Sequence, residues 1–391
     1  MRGTDGPNPD GRRSWVVAVA GVLALTATFG TPYSIGVFVS YFGDAYGTSP
    51  VVLSAILSAQ LFAFYAGAGA VGLVTARYSS RAVLVACGAV IGTLSPALFF
   101  VDTAAGLLGT VSLVGGALGT VYVILAAVIP QWFRERRGVA TGFLFAGIGV
   151  SLFALPPAWQ FAFERFGVER GYLTVLLLTA ATCVLAGVVC DRPPWTDRPS
   201  IERTELLDWL GRVARTRRFR LQFVGIGLAF GWYYLLATYS IDLFVHRGLS
   251  ERAATIAFGS IGGLSVGSRI VSGLIADRTG YHRTFVVSLL FVVCGCFALL
   301  VPQLSAVAVA IVLCGIGFGG VATLYVPILI RSYDSEPAVA VVSVFNVSLG
   351  VFALGLPPLG MALFAYADSY QAPVALTIVV SAVALLTIAW S

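Results

Sequence analysis

One charged side chain stands inside an otherwise apolar stretch of this sequence. Arg269 lies in the run 253–276, Ser265 occupies the position one helical turn before it, and the next acid, Asp277, would lie about 12 Å further along a helix. An arginine near the middle of a bilayer helix costs about 2.5 to 3.5 kcal/mol, so it needs a partner or a water-filled cavity. Because its own segment supplies no carboxylate, the guanidinium is free to bind a small organic anion through its carboxylate.

Asp242 and His246 form a second group of titratable side chains. They stand one helical turn apart at the end of another apolar run, a spacing at which an imidazole and a carboxylate could pass a proton. The alternative is an exposed salt bridge. His282, the other histidine, follows a different run, and the six cysteines show no paired spacing in the connections. We therefore expect no metal site.

The composition is that of an integral membrane protein. Of the 391 residues, 58% are hydrophobic and 11% are charged, and the mean hydropathy is +0.91. Apolar runs recur along the whole chain, each long enough to cross a hydrocarbon core of about 30 Å as a helix. The sequence thus predicts an all-α membrane protein with twelve transmembrane helices. The predicted spans are residues 15–39, 51–74, 82–101, 106–129, 139–157, 171–190, 221–244, 254–276, 284–301, 305–330, 338–364 and 371–390.

The distribution of arginine predicts the orientation in the membrane. Every basic residue is arginine, and nineteen arginines fall in the N-terminal tail and the connections on its side, against four in the connections on the other side. Because arginine-rich segments stay in the cytoplasm, we expect a multi-pass protein of the cell membrane with both termini cytoplasmic. The net charge of +6 therefore marks topology and indicates no nucleic-acid partner.

The chain divides into two blocks of six spans. Between residues 191 and 220 the hydrophobicity falls in a segment with three prolines and eight arginines, which is typical of a linker. Within it, Leu206, Leu207 and Leu210 have near-helical spacing, which suits either a short helix on the inner leaflet or a solvated connection. The predicted regions are a cytoplasmic tail (1–14), an N-terminal bundle (15–190), a cytoplasmic linker (191–220) and a C-terminal bundle (221–391).

A short motif recurs at matching places in the two blocks. The second span ends with Gly72, Arg77 and Arg81, and a fuller copy ends the eighth span 201 residues later. We interpret the motif as a gating latch in which glycine permits close helix approach, aspartate accepts hydrogen bonds from a helix N-terminus, and arginine pins the turn to the inner surface. In the first copy, Ala76 and Ser79 replace the acid and a glycine. The fuller copy comprises Gly273, Asp277, Arg278, Gly280 and Arg283.

This pattern resembles the major facilitator superfamily along the entire chain. The resemblance implies two pseudo-symmetric six-helix bundles that work by alternating access, with the binding site between them near mid-membrane. Residues 131–142 read QWFRERRGVATG, which is similar to the signature of the monocarboxylate transporters. Residues 32–38 (PYSIGVF) and 356–360 (LPPLG) are similar to the same family, and the related oxalate/formate exchangers share much of this pattern.

The resemblance to monocarboxylate transporters implies roles for single residues. Arg269 takes the place of the family's carboxylate-binding arginine, and Tyr65 that of its pocket tyrosine. Tyr33 replaces the coupling lysine, and Ser265 replaces the acid one turn before the arginine, so proton coupling by the usual pair is not expected. Further hydroxyls and one amide on the cavity-lining helices either orient the substrate or only pack. These residues are Tyr122, Tyr233, Tyr234 and Asn346.

Together these features predict a secondary active or facilitative transporter of small monocarboxylates such as lactate or pyruvate. Its partners would be the organic anion, a proton where transport is coupled, and membrane lipid. One buried positive charge suits one negative charge, which favours a monocarboxylate over oxalate. The glycine-rich segments lie within helices without a preceding strand, so neither a nucleotide site nor a cofactor is predicted, and no catalytic cluster is seen. The alternatives left open are an exporter of neutral or lipophilic compounds and a transporter-like membrane receptor.

Overall fold

The computed structural model describes residues 8–75, 78–195, 211–333 and 338–391, and in these ranges the regular structure is helical throughout. Arg77 and the leucines of the predicted linker helix lie outside the described residues. Within the described ranges, thirteen α-helices have twelve or more residues. They are α1 (Arg12–Phe29), α2 (Ile35–Tyr46), α3 (Pro50–Thr75), α4 (Ser80–Leu94), α5 (Ala104–Val128), α6 (Arg137–Phe166), α7 (Val168–Val189), α8 (Arg217–His246), α9 (Glu251–Thr279), α10 (Tyr281–Ala298), α11 (Leu304–Tyr333), α12 (Ala338–Ala367) and α13 (Gln371–Ala389).

Twelve helical segments are long and apolar enough to cross a membrane, which confirms the number of predicted spans. The first differs from the continuous helix predicted over residues 15–39. It breaks after α1 into a 3₁₀ turn (Thr31–Tyr33), and α2 begins at Ile35. Pro32 explains the break because it lacks the N–H that a continuous helix needs there. The break places Tyr33 in the short connection between α1 and α2.

The helices form two bundles, α1–α7 and α8–α13, that meet along a few close crossings. Across the bundle interface α3 packs along α12, α6 along α9, and α2 along α8. Glycine makes the crossing of α6 and α9 close: a Cβ on Gly149 would lie 2.3 Å from Val266 and 3.0 Å from the Gly262 carbonyl oxygen. Small residues of this kind are what lets helix backbones approach within a membrane. The boundaries of the linker, 191–220, stay a prediction.

The two ends of the helices define two faces of the molecule. The end of the molecule at which α1 and α8 begin and α7, α9 and α13 end is called the basic face. The opposite end is called the far face, and it carries the connections after α2, α4, α6, α8, α10 and α12. The side of the protein between the faces exposes many large apolar side chains, among them Leu178, Ile270 and Leu274. Such a girdle is what a helix bundle presents to lipid.

Asp10 joins the N-terminal segment to the connection that carries the QWFRERRG motif. Its carboxylate accepts hydrogen bonds from the backbone N–H groups of Arg134, Glu135 and Arg136 at 3.0, 3.1 and 3.0 Å, and its own N–H donates to the Trp132 carbonyl oxygen. Desolvation raises the pKa of this carboxyl, but the three hydrogen bonds outweigh it and hold the pKa of Asp10 below its ordinary value. The motif therefore anchors the N-terminal segment to the connection between α5 and α6 on the basic face.

Replacing Asp10 with alanine should lower the melting temperature of the detergent-purified protein at pH 7, because three backbone N–H groups just before α6 lose the carboxylate that accepts their hydrogen bonds. Since the folded-state pKa is depressed, this stabilisation is present above about pH 4 and is lost as the pH falls through the folded value. Thermal unfolding of the wild type and the variant, at pH 7 and below about pH 4, checks the loss of stability and its pH dependence. Asp44→Ala, at an exposed aspartate of α2, is the matched control. Equal melting temperatures of the two variants at pH 7 would contradict the assignment.

Candidate functional site

Arg269 lies on α9 at the interface between the bundles, and 9% of its surface is exposed. Its Nε has no hydrogen-bond partner, and the guanidinium carbon lies 6.0 Å from the centre of the Phe318 ring. Among the described residues, the one ion pair within 4.0 Å is Arg252 with Glu164, at 3.8 Å, on the far face. In the part of the chain that the structure describes, Arg269 is thus a buried cation without a carboxylate partner.

Tyrosine side chains from both bundles lie near the guanidinium. They are Tyr33, Tyr122, Tyr233 and Tyr325. They stand on the 3₁₀ turn, α5, α8 and α11, so four separate elements converge on one cation. Tyr325 is not among the residues predicted from the sequence, although it shows the same signal as the others, a hydroxyl in the middle of an apolar span. Its hydroxyl also interacts with that of Tyr122.

A hydroxyl network links the two bundles beside this site. The hydroxyls of Tyr33 and Tyr65 are 2.5 Å apart, and the Tyr234 hydroxyl donates to that of Tyr65 at 2.9 Å. Tyr33 and Tyr65 belong to the first bundle and Tyr234 to the second. We call these three residues the tyrosine triad. The next turns of α2 and α8, toward the far face, line a cavity.

Two further buried polar atoms near the site have no partner. The Tyr233 hydroxyl is unbonded while its ring stacks on Phe318, with centres 4.6 Å apart and planes 8° apart. Asn346, 3% exposed, has an unbonded Oδ1. It stands one turn from Gly350, whose added Cβ would meet Tyr65 at 3.2 Å, so both positions share the face of α12 that packs on α3. Leaving such groups unbonded costs about 1–3 kcal/mol each, which a bound polar ligand would relieve.

Ser265 stands where the resemblance to monocarboxylate transporters implies an acid, but its side chain is uncharged and hydrogen-bonds within its own helix. Its Oγ donates to the Gly262 carbonyl oxygen of its own helix at 2.6 Å. It also lies 3.5 Å from where a Cβ on Gly149 would stand, on the side of α9 that packs against α6. Ser265 therefore fills the bundle interface one turn from Arg269 and adds no acid to the site.

The gating residues lie on the basic face, where the second copy makes a contact different from the one expected. The Asp277 carboxylate accepts the Tyr281 hydroxyl at 2.7 Å, in place of a helix N-terminus, and the Arg331 guanidinium of α11 lies 4.0 Å above the Tyr281 ring. An added Cβ on Gly273 would meet nothing within 4 Å among the described residues, so close helix approach does not explain that glycine.

Gly280 has a structural requirement of its own. Its φ of +96° is a conformation that side chains rarely adopt, and it makes the turn between α9 and α10. Among the described residues of the predicted latch, no arginine pairs with Asp277 within 4.0 Å. Gly72 lies within α3, Arg81 is exposed at the start of α4, and Arg278 and Arg283 are exposed beside the α9–α10 turn.

Asp242 and His246 line a cavity of about 330 Å³ at the far face, which we call the far-face cavity. Its walls come from α2, α6, α8 and α9 and from Tyr370, so both bundles contribute. The His246 ring packs 5.6 Å from that of Tyr370. The predicted proton-passing pair thus shares one cavity, away from Arg269.

Comparisons with known proteins are consistent with this architecture. A family model described as "Major Facilitator Superfamily" matches residues 17–355. The MFS-type transporter pytF of Aspergillus terreus is 29% identical over 284 residues, which cover 70% of this chain and 93% of that protein. Monocarboxylate transporter 2 of Rattus norvegicus is 25% identical over 350 residues, which cover 81% of this chain and 70% of that protein.

Solved structures share the fold at low sequence identity. A bacterial homologue of the human lysosomal transporter Spinster, in an inward-facing and unoccupied conformation, superposes with a TM-score of 0.71 at 13% identity and covers 97% of both chains. The nucleoside transporter NupG gives a TM-score of 0.74 at 12% identity and covers 96% of this chain and 99% of that one. Identities this low show the twelve-helix, two-bundle fold and nothing about the substrate.

Proposed function

This chain belongs to the Major Facilitator Superfamily of membrane transporters, and we propose that it carries small monocarboxylates, of the size of lactate or pyruvate, by alternating access. The family and the fold make it a multi-pass membrane transporter and not an enzyme. The observation that carries the substrate proposal is Arg269, a buried guanidinium without a carboxylate partner among the described residues, placed where the two bundles meet.

Arg269 is the proposed anion site because its buried guanidinium has no carboxylate partner among the described residues. A buried charge is stable only when it is paired or solvated, and a substrate carboxylate would supply the missing charge together with two parallel hydrogen bonds. One guanidinium balances one carboxylate. A second carboxylate, as in oxalate, would enter the aromatic surroundings without a cation of its own, which supports a monocarboxylate over a dicarboxylate.

The tyrosines and Asn346 are the proposed orienting groups. Tyr33, Tyr122 and Tyr233 offer hydroxyls near the cation, and Tyr65 is hydrogen-bonded to Tyr33. The Oδ1 of Asn346, unbonded among the described residues, can accept a hydrogen bond from a substrate hydroxyl. Because these groups come from both bundles, a substrate held among them contacts both halves of the protein. That is the arrangement expected of a site that is exposed to each side of the membrane in turn.

The orientation and coupling are part of the same proposal. The arginine-rich basic face would lie in the cytoplasm, with both termini inside the cell. The motif at Asp277 would latch that face. Any proton step is assigned to Asp242 and His246 in the far-face cavity, since Tyr33 and Ser265 occupy the positions of the usual coupling pair.

A second candidate, export of neutral or lipophilic compounds, is supported by the aromatic lining around Arg269 and by the MFS-type transporter among the relatives. The two candidates differ in the need for a negative charge on the cargo.

Uptake into proteoliposomes tests the proposed substrate class. We expect labelled lactate and pyruvate to enter, unlabelled lactate to compete, and the uncharged analogue lactamide and the dianion oxalate to compete at least about tenfold less well, because neither matches a single buried cation. Empty liposomes give the background. Competition by lactamide equal to that by lactate would favour the neutral-compound exporter. Binding of lactate without counterflow would favour the receptor.

A further inference from the structure

The far-face cavity is rich in unpaired acceptors. Asp242 and Glu251 both line it, from α8 and α9, so two acidic side chains share one cavity. Within the described ranges, neither carboxylate has a cation within 4.0 Å. The two nearby arginines are engaged elsewhere: Arg252 pairs with Glu164 at 3.8 Å, and Arg247 donates to the Leu299 carbonyl oxygen.

Gln160 adds a buried acceptor that points to a ligand independently of these acids. It stands on α6 in the opposite bundle, lines the same cavity and is 5% exposed. Its Nε2 donates to Glu164 at 2.9 Å, whereas its Oε1 has no hydrogen-bond partner. A buried amide oxygen without a donor costs about 1–3 kcal/mol. Among the described residues, the cavity therefore holds an amide oxygen without a donor beside two carboxylates without a cation within 4.0 Å.

Aromatic side chains complete the walls. Tyr41, Tyr370 and His246 line the cavity, and the Tyr41 hydroxyl is directed to Glu164 at 3.5 Å. Tyr370 is braced by the Phe364 ring, with centres 4.6 Å apart. Ring faces attract organic cations through their quadrupoles. A volume of about 330 Å³ is also far more than a bare metal ion fills, and no cluster of three metal-ligating side chains occurs in the described residues.

We propose that the far-face cavity binds an organic ammonium ion. Its N–H groups would donate to the carboxylates of Asp242 and Glu251 and to the Oε1 of Gln160, for which the described residues supply no donor. An ammonium group carries three donors and no acceptor, so it complements this lining. The ligand would touch α6 of the first bundle and α8 and α9 of the second. Its occupancy would hold the bundles together at the far face and slow transport.

Thermal unfolding of the full chain in detergent at pH 7.5, with n-butylammonium chloride as the probe, tests the proposal. We expect a saturable rise in melting temperature that sodium chloride at equal ionic strength and the neutral isostere n-butanol do not produce. The double variant Asp242→Asn with Glu251→Gln, and Gln160→Met separately, should lose the rise. Glu169→Gln, at an acid near the start of α7 at the far face but outside the cavity, should retain it.

Either of two results would overturn the site. One is an equal rise with n-butanol, which would show an apolar effect. The other is an undiminished rise in both the double variant and Gln160→Met, provided that their melting temperatures without probe show folded protein. Neither result depends on Arg269 or on carboxylate uptake, so the proposed substrate can fail while this site stands. Because Asp242 is also the proposed proton residue, the uptake test uses Gln160→Met: n-butylammonium should reduce the maximal rate of lactate uptake by the wild type and leave that of Gln160→Met unchanged.

Discussion

Uptake of labelled lactate by the Arg269→Ala variant should fall to the level of empty liposomes. The substitution removes the one buried cation of the proposed site and leaves a substrate carboxylate without its charge partner among the tyrosines. Removing one partner of a buried, hydrogen-bonded charge pair costs about 2–5 kcal/mol, which corresponds to a loss of at least about 30-fold in affinity. Initial uptake rates over a range of lactate concentrations in proteoliposomes measure the effect.

Two variants separate binding from folding. Arg269→Lys keeps the charge but loses the planar fork, so it should retain a reduced uptake above that of Arg269→Ala. Arg252→Ala, at a largely exposed arginine of the same helix, should transport as the wild type does. The melting temperature of Arg269→Ala should not fall, because no ion pair is broken. Full lactate uptake by Arg269→Ala would refute the proposed carboxylate site.

Among glycine-to-alanine substitutions in the first bundle, Gly119→Ala should destabilise the protein most. A Cβ at this position of α5 would lie 1.8 Å from the carbonyl oxygen of Phe64 and 2.5 Å from its carbonyl carbon. Both atoms belong to the backbone of α3, so no side-chain rotation relieves the clash and the helices must separate. Overpacking of this kind typically costs about 1–3 kcal/mol and more where backbone must shift. The displaced segment carries Tyr65, so the tyrosine triad should loosen as well.

Gly109→Ala is the matched control because it lies in the same helix with nothing within 4 Å of an added Cβ. There, replacing glycine in a helix interior should stabilise by about 0.5–1 kcal/mol. Thermal unfolding and the fraction of monodisperse protein in size-exclusion chromatography compare the two variants. A melting temperature of Gly119→Ala equal to that of Gly109→Ala would mean that α3 and α5 are not as close as described.

The fold was largely predictable from the sequence because the bilayer restricts the choices. Apolar runs of sufficient length and the interruption at 191–220 led to twelve spans in two blocks, and the structure has twelve such helical segments in its described residues. The break in the first span was not predicted, although Pro32 was visible. A proline alone does not say whether a helix bends or stops, and here the hydrogen bond from the Gly30 N–H to Ser151 of α6, 2.6 Å long, helps to end α1.

Within the site, single residues were easier to predict than their partners. Arg269 stood out because a charge in an apolar run is rare, whereas Tyr325 resembled any other aromatic residue of a span. The role of Asp10 was not predictable, since its partners Arg134 to Arg136 are about 125 residues away in the chain. Hydropathy describes which side chains avoid water, but it does not describe which hydroxyls and carboxylates meet across two bundles.

The break between Phe29 and Ile35 has a mechanical consequence for the transport cycle. The part before it, α1, packs on α5, α6 and α7 of its own bundle, whereas the part after it, α2, also packs on α8 of the other. One span is thereby fastened to both halves of the protein, with a short joint in between. Opening of the far face would require either that α2 leave α8 or that this joint bend, and Tyr33 stands at the joint.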